Sequence, residues 1–174
     1  MRKKQVNNMK NGNLEFRKAD FMQFRDLEIS LEWHIIELKK LEENYEIQKV
    51  NPRMNIAYMQ ENAYEYHKAS LEGEIRELTK KLFIIRQTIV FCRECVEEKI
   101  YLAVSMAVIE GMPYRAISKK IKYSTPQVSR YISQFFTNLE CHKAFIKAKE
   151  EAVYKLCSAM KKETNETQSE RHET

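Results

Sequence analysis

Glycine and proline are nearly missing from this chain: three of each occur in 174 residues. Gly111, Pro113 and Pro126 crowd into one short stretch, so the remainder has little to interrupt a helix. The expected fold class is all-α. No apolar run reaches the roughly 18 residues of a membrane span, which predicts no transmembrane helix. The opening MRKKQVNNMKNGN is basic with no apolar stretch behind it, which predicts no secretory signal and a cytoplasmic location. Aspartate is scarce too: Asp20 and Asp26 are the only two. His34, His67, His142 and His172 are scattered, and no glycine-rich phosphate loop or nucleophile elbow occurs. His34 lies on an apolar stripe, where a seam residue is the ordinary reading. These absences speak against an enzyme, so no catalytic residue and no cofactor is expected.

The four cysteines are Cys92, Cys95, Cys141 and Cys157. Cys92 and Cys95 form a CxxC, but a zinc site needs two further ligands at suitable spacing. Cys141 and His142 are the nearest pair, and adjacent residues on a helix point in different directions. The CxxC also lies inside a helical pattern. Reduced thiols are expected, and no metal.

A more local absence carries the functional argument. From Gly111 to Leu139, GMPYRAISKKIKYSTPQVSRYISQFFTNL, there is neither Asp nor Glu over 29 residues. The stretch holds Arg115, Lys119, Lys120, Lys122 and Arg130. The chain's net charge is +5, so the other residues cancel and the whole excess falls here. Such a segment suits the phosphates of a nucleic acid.

What the chain does contain is helical periodicity. Residues 1–18 read as a flexible basic arm. A first helix is expected from Asp20, as N-cap, to about Gln48, with Phe24, Leu27, Leu31, His34, Leu38, Leu41 and Tyr45 at heptad-like spacing. Ile29, Trp33 and Ile36 add a second apolar stripe, which implies more than one neighbour. Asn51-Pro52 ends it, and residues 53–69 have room for a short helix. Ser70 is a candidate cap for a helix running to about Glu110. Leu71, Ile75, Leu78, Leu82, Ile85, Ile89, Cys92 and Val96 repeat along it without a slip. A helix of about 40 residues would span about 60 Å. Three arrangements stay open: an antiparallel hairpin within the chain, a homodimer through the heptad helix 71–96, or an ordinary bundle helix. A last helix carries Phe145, Ala148, Ala152, Leu156 and Ala159, and residues 161–174 read as a disordered tail. The expected organisation is an arm (1–18), a helical or coiled-coil region (19–99), and a helix-turn-helix domain with its C-terminal helix (100–160).

In the acid-free stretch, Gly111 suits the left-handed position after a helix, and Pro113 the first turn of the next. Tyr114, Ile117 and Ile121 share one face. Ser118 falls where two helices touch and a small residue is needed. Lys122 and Tyr123 make the turn, at a position that favours glycine. Ser124 caps the second helix with Gln127 three residues on, or Thr125 caps it with Pro126 as the first helical residue. Val128, Tyr131, Ile132, Phe135 and Phe136 point inward. Thr125, Gln127, Ser129, Arg130, Ser133 and Gln134 point outward and suit base edges in a major groove. Arg115, Lys119, Lys120, Lys122 and Ser124 suit phosphate contacts. Double-stranded DNA is the expected partner, read by helix 125–136.

The segment MPYRAISKKIKYSTPQVSRYISQFFTNL resembles the region-4 helix-turn-helix of sigma-70-type factors. More closely, it resembles small phage transcriptional regulators of the ArpU and RinA type, through Tyr114, Ile117, Ser118, Ile121, Tyr123, Ser124, Val128 and Arg130. The resemblance covers about 100–139, is weaker over 70–99, and has Ser118 where those regulators carry Ala. It implies a regulator of phage or mobile-element operons. The alternative is an interaction protein, sigma-like or anti-host, whose long helices bind RNA polymerase or another bacterial protein.

Overall fold

The structure is a computed structural model that describes residues 14–50 and 60–170, with side chains placed as far as Lys155. Among the described residues the secondary structure is helical throughout, in line with the breaker-poor sequence. The helices are α1 (Lys18–Phe21), α2 (Phe24–Val50), α3 (Glu61–Phe91), α4 (Glu98–Val108), α5 (Tyr114–Ile121), α6 (Thr125–Thr137) and α7 (Leu139–Glu170). A 3₁₀ turn at Cys92–Glu94 lies between α3 and α4. No described helix is long and apolar enough to cross a membrane.

α2 and α3 form an antiparallel hairpin within the chain. Their seam holds the heptad positions of both helices. Leu41, Tyr45, Tyr64 and Leu71 make a small core at the far end, where the rings of Tyr45 and Tyr64 stack at 3.7 Å. Midway, His34 is indeed a seam residue: its Nε2 meets Glu74 Oε2 across the hairpin at 2.6 Å, and its Nδ1 meets the Ser30 carbonyl at 2.6 Å. At the near end, Phe24, Leu27, Ile84, Ile85, Ile89 and Cys92 enter the main core with α4 to α7. The apolar side chains at 71, 85, 89 and 92 are thus buried inside their own chain, which takes them away from the homodimer seam expected over 71–96.

Four boundaries differ from expectation. Asp20 does not cap a long helix; it lies in α1, and its carboxylate accepts from the Glu15 backbone N–H at 3.0 Å. Ser70 is interior to α3, which starts nine residues earlier at Glu61. The single helix to Glu110 is instead broken after Phe91. No Gly or Pro marks that break. The turn redirects the chain so that Ala103, Val104, Ala107 and Val108 of α4 join the same core, a tertiary gain that overrides helical continuity. Finally, α7 continues to Glu170, into the stretch expected to be disordered; Lys161–Glu170 is free of Gly and Pro.

The arm is anchored before it reaches α1. Leu14 and Phe16 pack on the main core, and the Phe16 ring lies 5.4–5.8 Å from those of Phe21, Phe135, Phe136, His142 and Phe145. Residues 1–13 of the arm, the Asn51-Pro52 break, residues 53–59 and 171–174, and the side chains of Leu156, Cys157 and Ala159 lie outside the described residues.

Candidate nucleic-acid interface

α4, α5 and α6 pack on one another as a three-helix unit, and α7 covers its back. The corner between α4 and α5 is made by Gly111, at φ 66°, where an added Cβ would lie 3.0 Å from Arg25 Cγ. Positive φ and this close approach both call for glycine. Pro113 is the N-cap residue of α5, with extended backbone, and Tyr114 begins the helix.

The turn between α5 and α6 has a more detailed construction than its sequence suggested. Lys122 takes the left-handed conformation, φ 59° and ψ 36°, the only non-glycine residue with positive φ among the described residues. Ser118 is more than a small spacer. Its hydroxyl donates to the Tyr123 carbonyl, while the Tyr123 N–H donates to the Ser118 carbonyl at 3.3 Å. The two bonds tie the last turn of α5 to the residues that leave it. Ser124 is the cap of α6: its Oγ accepts from the Gln127 N–H at 3.4 Å, and Thr125 and Pro126 stand in the first turn. Of the two caps open to the sequence, the structure has Ser124.

Ile117, Val128, Tyr131, Ile132 and Phe135 are buried, and Tyr114, Ile121 and Phe136 half-buried, as expected of the inward face. Tyr131 is also held from outside: Tyr123 meets its ring edge-on at 5.3 Å, and Lys99 Nζ sits 5.5 Å from its centroid.

On the other side of α6, Thr125, Arg130, Ser133 and Gln134 are exposed, and Ser129 is half-exposed. Gln127 is half-buried, one heptad before Gln134 and so on the same flank of the helix. The Ser133 hydroxyl donates to the Ser129 carbonyl at 3.0 Å, so only its lone pairs remain free for a ligand. Arg130, Gln134 and Thr125 are exposed and carry side-chain donors and acceptors that bond to nothing else among the described residues.

Arg115 and Lys119 stand one turn apart on α5, opposite buried Ile117; Lys122 follows in the turn, and all three are exposed. Together with Arg130 they form no ion pair among the described residues. Lys120 differs. It stands on the flank of α5 and pairs with Glu110 at 3.4 Å, the last acid before the acid-free stretch begins. That pairing reduces the free positive charge at one of the five basic positions.

Three further basic side chains join α5 and α6 only through folding. Lys18 of α1 lies 5.3 Å from the centroid of the Tyr114 ring, at the start of α5. Arg25 of α2 sits against Gly111. Lys99 of α4, beside Tyr131, pairs with Glu97 at 2.6 Å, and that hydrogen bond raises its pKa. No local pattern in the sequence marks these residues; the signal is tertiary.

The CxxC does not act as a pair. Cys92 and Cys141 are both fully buried in the main core, whereas Cys95 is exposed and donates to the Phe91 carbonyl at 3.5 Å. The interaction of the two buried thiols pushes Cys92, with burial adding to it, well above the ordinary thiol range and holds Cys141 below it. No group of three metal-ligating side chains occurs among the described residues. Comparison with known proteins adds nothing to this picture: no family model, curated protein or solved structure matches the chain.

Proposed function

We propose that this protein is a sequence-specific DNA-binding regulator that reads the major groove with α6 and grips the flanking phosphates from α5. The observation that carries the reading is one surface. Thr125, Arg130, Ser133 and Gln134 stand exposed on the outer side of a capped helix, and Arg115, Lys119 and Lys122 stand beside it without acidic partners. Short polar side chains, an amide and an Arg are the groups that distinguish bases by their edges. A second row of cations supplies affinity that is blind to sequence. The resemblance of 112–139 to phage regulators of the ArpU and RinA type supports a role at phage or mobile-element operons. No step in this reading requires catalysis.

The test is selection from a random DNA duplex pool, repeated with Arg130→Ala. Wild type is expected to enrich one motif. The variant is expected to lose about 1–3 kcal/mol at that motif and to relax one position of it. No enrichment by wild type would refute sequence-specific reading. It would leave a protein partner, RNA polymerase among the candidates, as the better account of the long helices.

A further inference from the structure

The hairpin leaves one side of α2 apolar where it faces solvent. Ile29, Trp33 and Ile36 are 55%, 66% and 49% exposed, and Ile47, three turns further along the same side, is 42% exposed. The seam residues Phe24, Leu27, Leu41 and Tyr45 occupy the opposite side and are already buried. A surface helix ordinarily has one apolar stripe, toward its core. Here there are two, and the second has no partner within the described residues. A contiguous exposed patch of this kind marks an interaction surface.

Charge identifies the occupant. Asp26 lies seven residues before Trp33 and Lys40 seven residues after it, so both sit on the stripe, two turns to either side. Neither forms an ion pair among the described residues. A second α2 laid antiparallel with Trp33 at the centre brings Asp26 of each copy to Lys40 of the other, twice, with isoleucines flanking both tryptophans. A parallel copy would set Asp26 against Asp26 and Lys40 against Lys40. We propose that the protein forms a two-fold homodimer through the Ile29–Trp33–Ile36 face of α2, paired antiparallel and centred on Trp33. The contact is isologous, so one stripe supplies both halves of it. Each copy brings a hairpin, and the pair forms a four-helix layer in place of the expected coiled coil over 71–96. The inference does not depend on DNA binding. Where both hold, two copies of α6 would meet a palindromic site.

Trp33 is the only tryptophan, so its emission reads this face directly. The experiment is sedimentation equilibrium with tryptophan fluorescence over a concentration series, on the full chain without DNA. A dimer mass with Trp33 emission shifting to the blue as dimer forms is expected. Asp26→Lys and Lys40→Asp should each weaken dimerisation about tenfold, and the double reversal should restore it. Trp33→Glu should give a monomer of unchanged helicity by circular dichroism. A monomer at every concentration overturns the proposal. So does a dimer in which the single charge reversals have no effect. Neither outcome bears on the selection experiment above, so the two readings fail separately.

Discussion

Lys122 ties the stability of the turn to its proposed ligand, and replacing it should move the two in opposite directions. Its backbone is left-handed, at φ 59° and ψ 36°. That conformation costs an L-residue about 1–2 kcal/mol, because Cβ crowds the following carbonyl oxygen. Glycine escapes the penalty but loses more backbone entropy on folding, roughly 0.5–1 kcal/mol. The side chain of Lys122 is exposed and free of ion pairs, so little else is lost with it. Lys122→Gly should therefore stabilise the protein by about 0.5–1 kcal/mol. For a chain of this size that raises Tm by about 1–4 °C. Lys122→Ala retains a Cβ and with it the strain, so its stability should stay near wild type. Both variants lose the same charge. If Lys122 contacts a phosphate, both should flatten the slope of log K against log salt by about 0.9. Thermal melts and salt titrations of the three proteins decide the matter. Equal melting of the Gly and Ala variants would refute the strain argument. An unchanged salt slope in both would remove Lys122 from the phosphate face.

Glu110 offers the reverse manipulation: Glu110→Gln frees Lys120, and binding to any DNA should tighten about two- to threefold, measured by fluorescence anisotropy at low salt. An unchanged affinity would place Lys120 away from the backbone. Phe16→Ala should destabilise the protein by about 2–4 kcal/mol in urea unfolding, since it empties a half-buried site between five aromatic rings; a loss below about 0.5 kcal/mol would mean the arm is not anchored. Thiol labelling followed by peptide mapping should modify Cys95 rapidly. Cys92 and Cys141 should resist until the protein unfolds, because both are fully buried and out of reach of the reagent, and the raised pKa of Cys92 makes its thiolate scarce as well. Fast labelling of Cys92 in the folded protein would contradict that burial.

Local physics settles those parts of the molecule where each residue's preference agrees with its surroundings. Scarcity of Gly and Pro dictates helix. Gly111 stands alone after a helix, and its positive φ follows from having no Cβ. Ser124, Pro126 and Gln127 announce the start of α6, and the spacing of Val128, Tyr131, Ile132 and Phe135 sorts its inner face from its outer one. The positions of the outward side chains were legible for the same reason, because a helix converts spacing into direction. Gln127 and Ser129 are only partly exposed, since they flank the buried stripe.

Where the neighbours come from distant sequence, local pattern fails. Phe16 reads as part of a polar arm until Phe135, Phe136 and Phe145 surround it. An unbroken heptad pattern runs through Cys92–Glu94, yet the helix stops there, because burying α4 outweighs the few hydrogen bonds of a continuous turn. Cys92 has a nearer partner in sequence, Cys95, than the one it meets, Cys141. Lys120 resembles its neighbours until Glu110 engages it, and Lys18 joins the basic surface only by folding. Sequence by itself determined the helical class, the Ser124 cap of α6 and the charge of one segment, since each rests on a residue and its immediate neighbours. Only the tertiary structure decided which apolar stripe is buried and which remains in water: burial depends on what the rest of the chain can cover, and α3 covers one side of α2 but not the other.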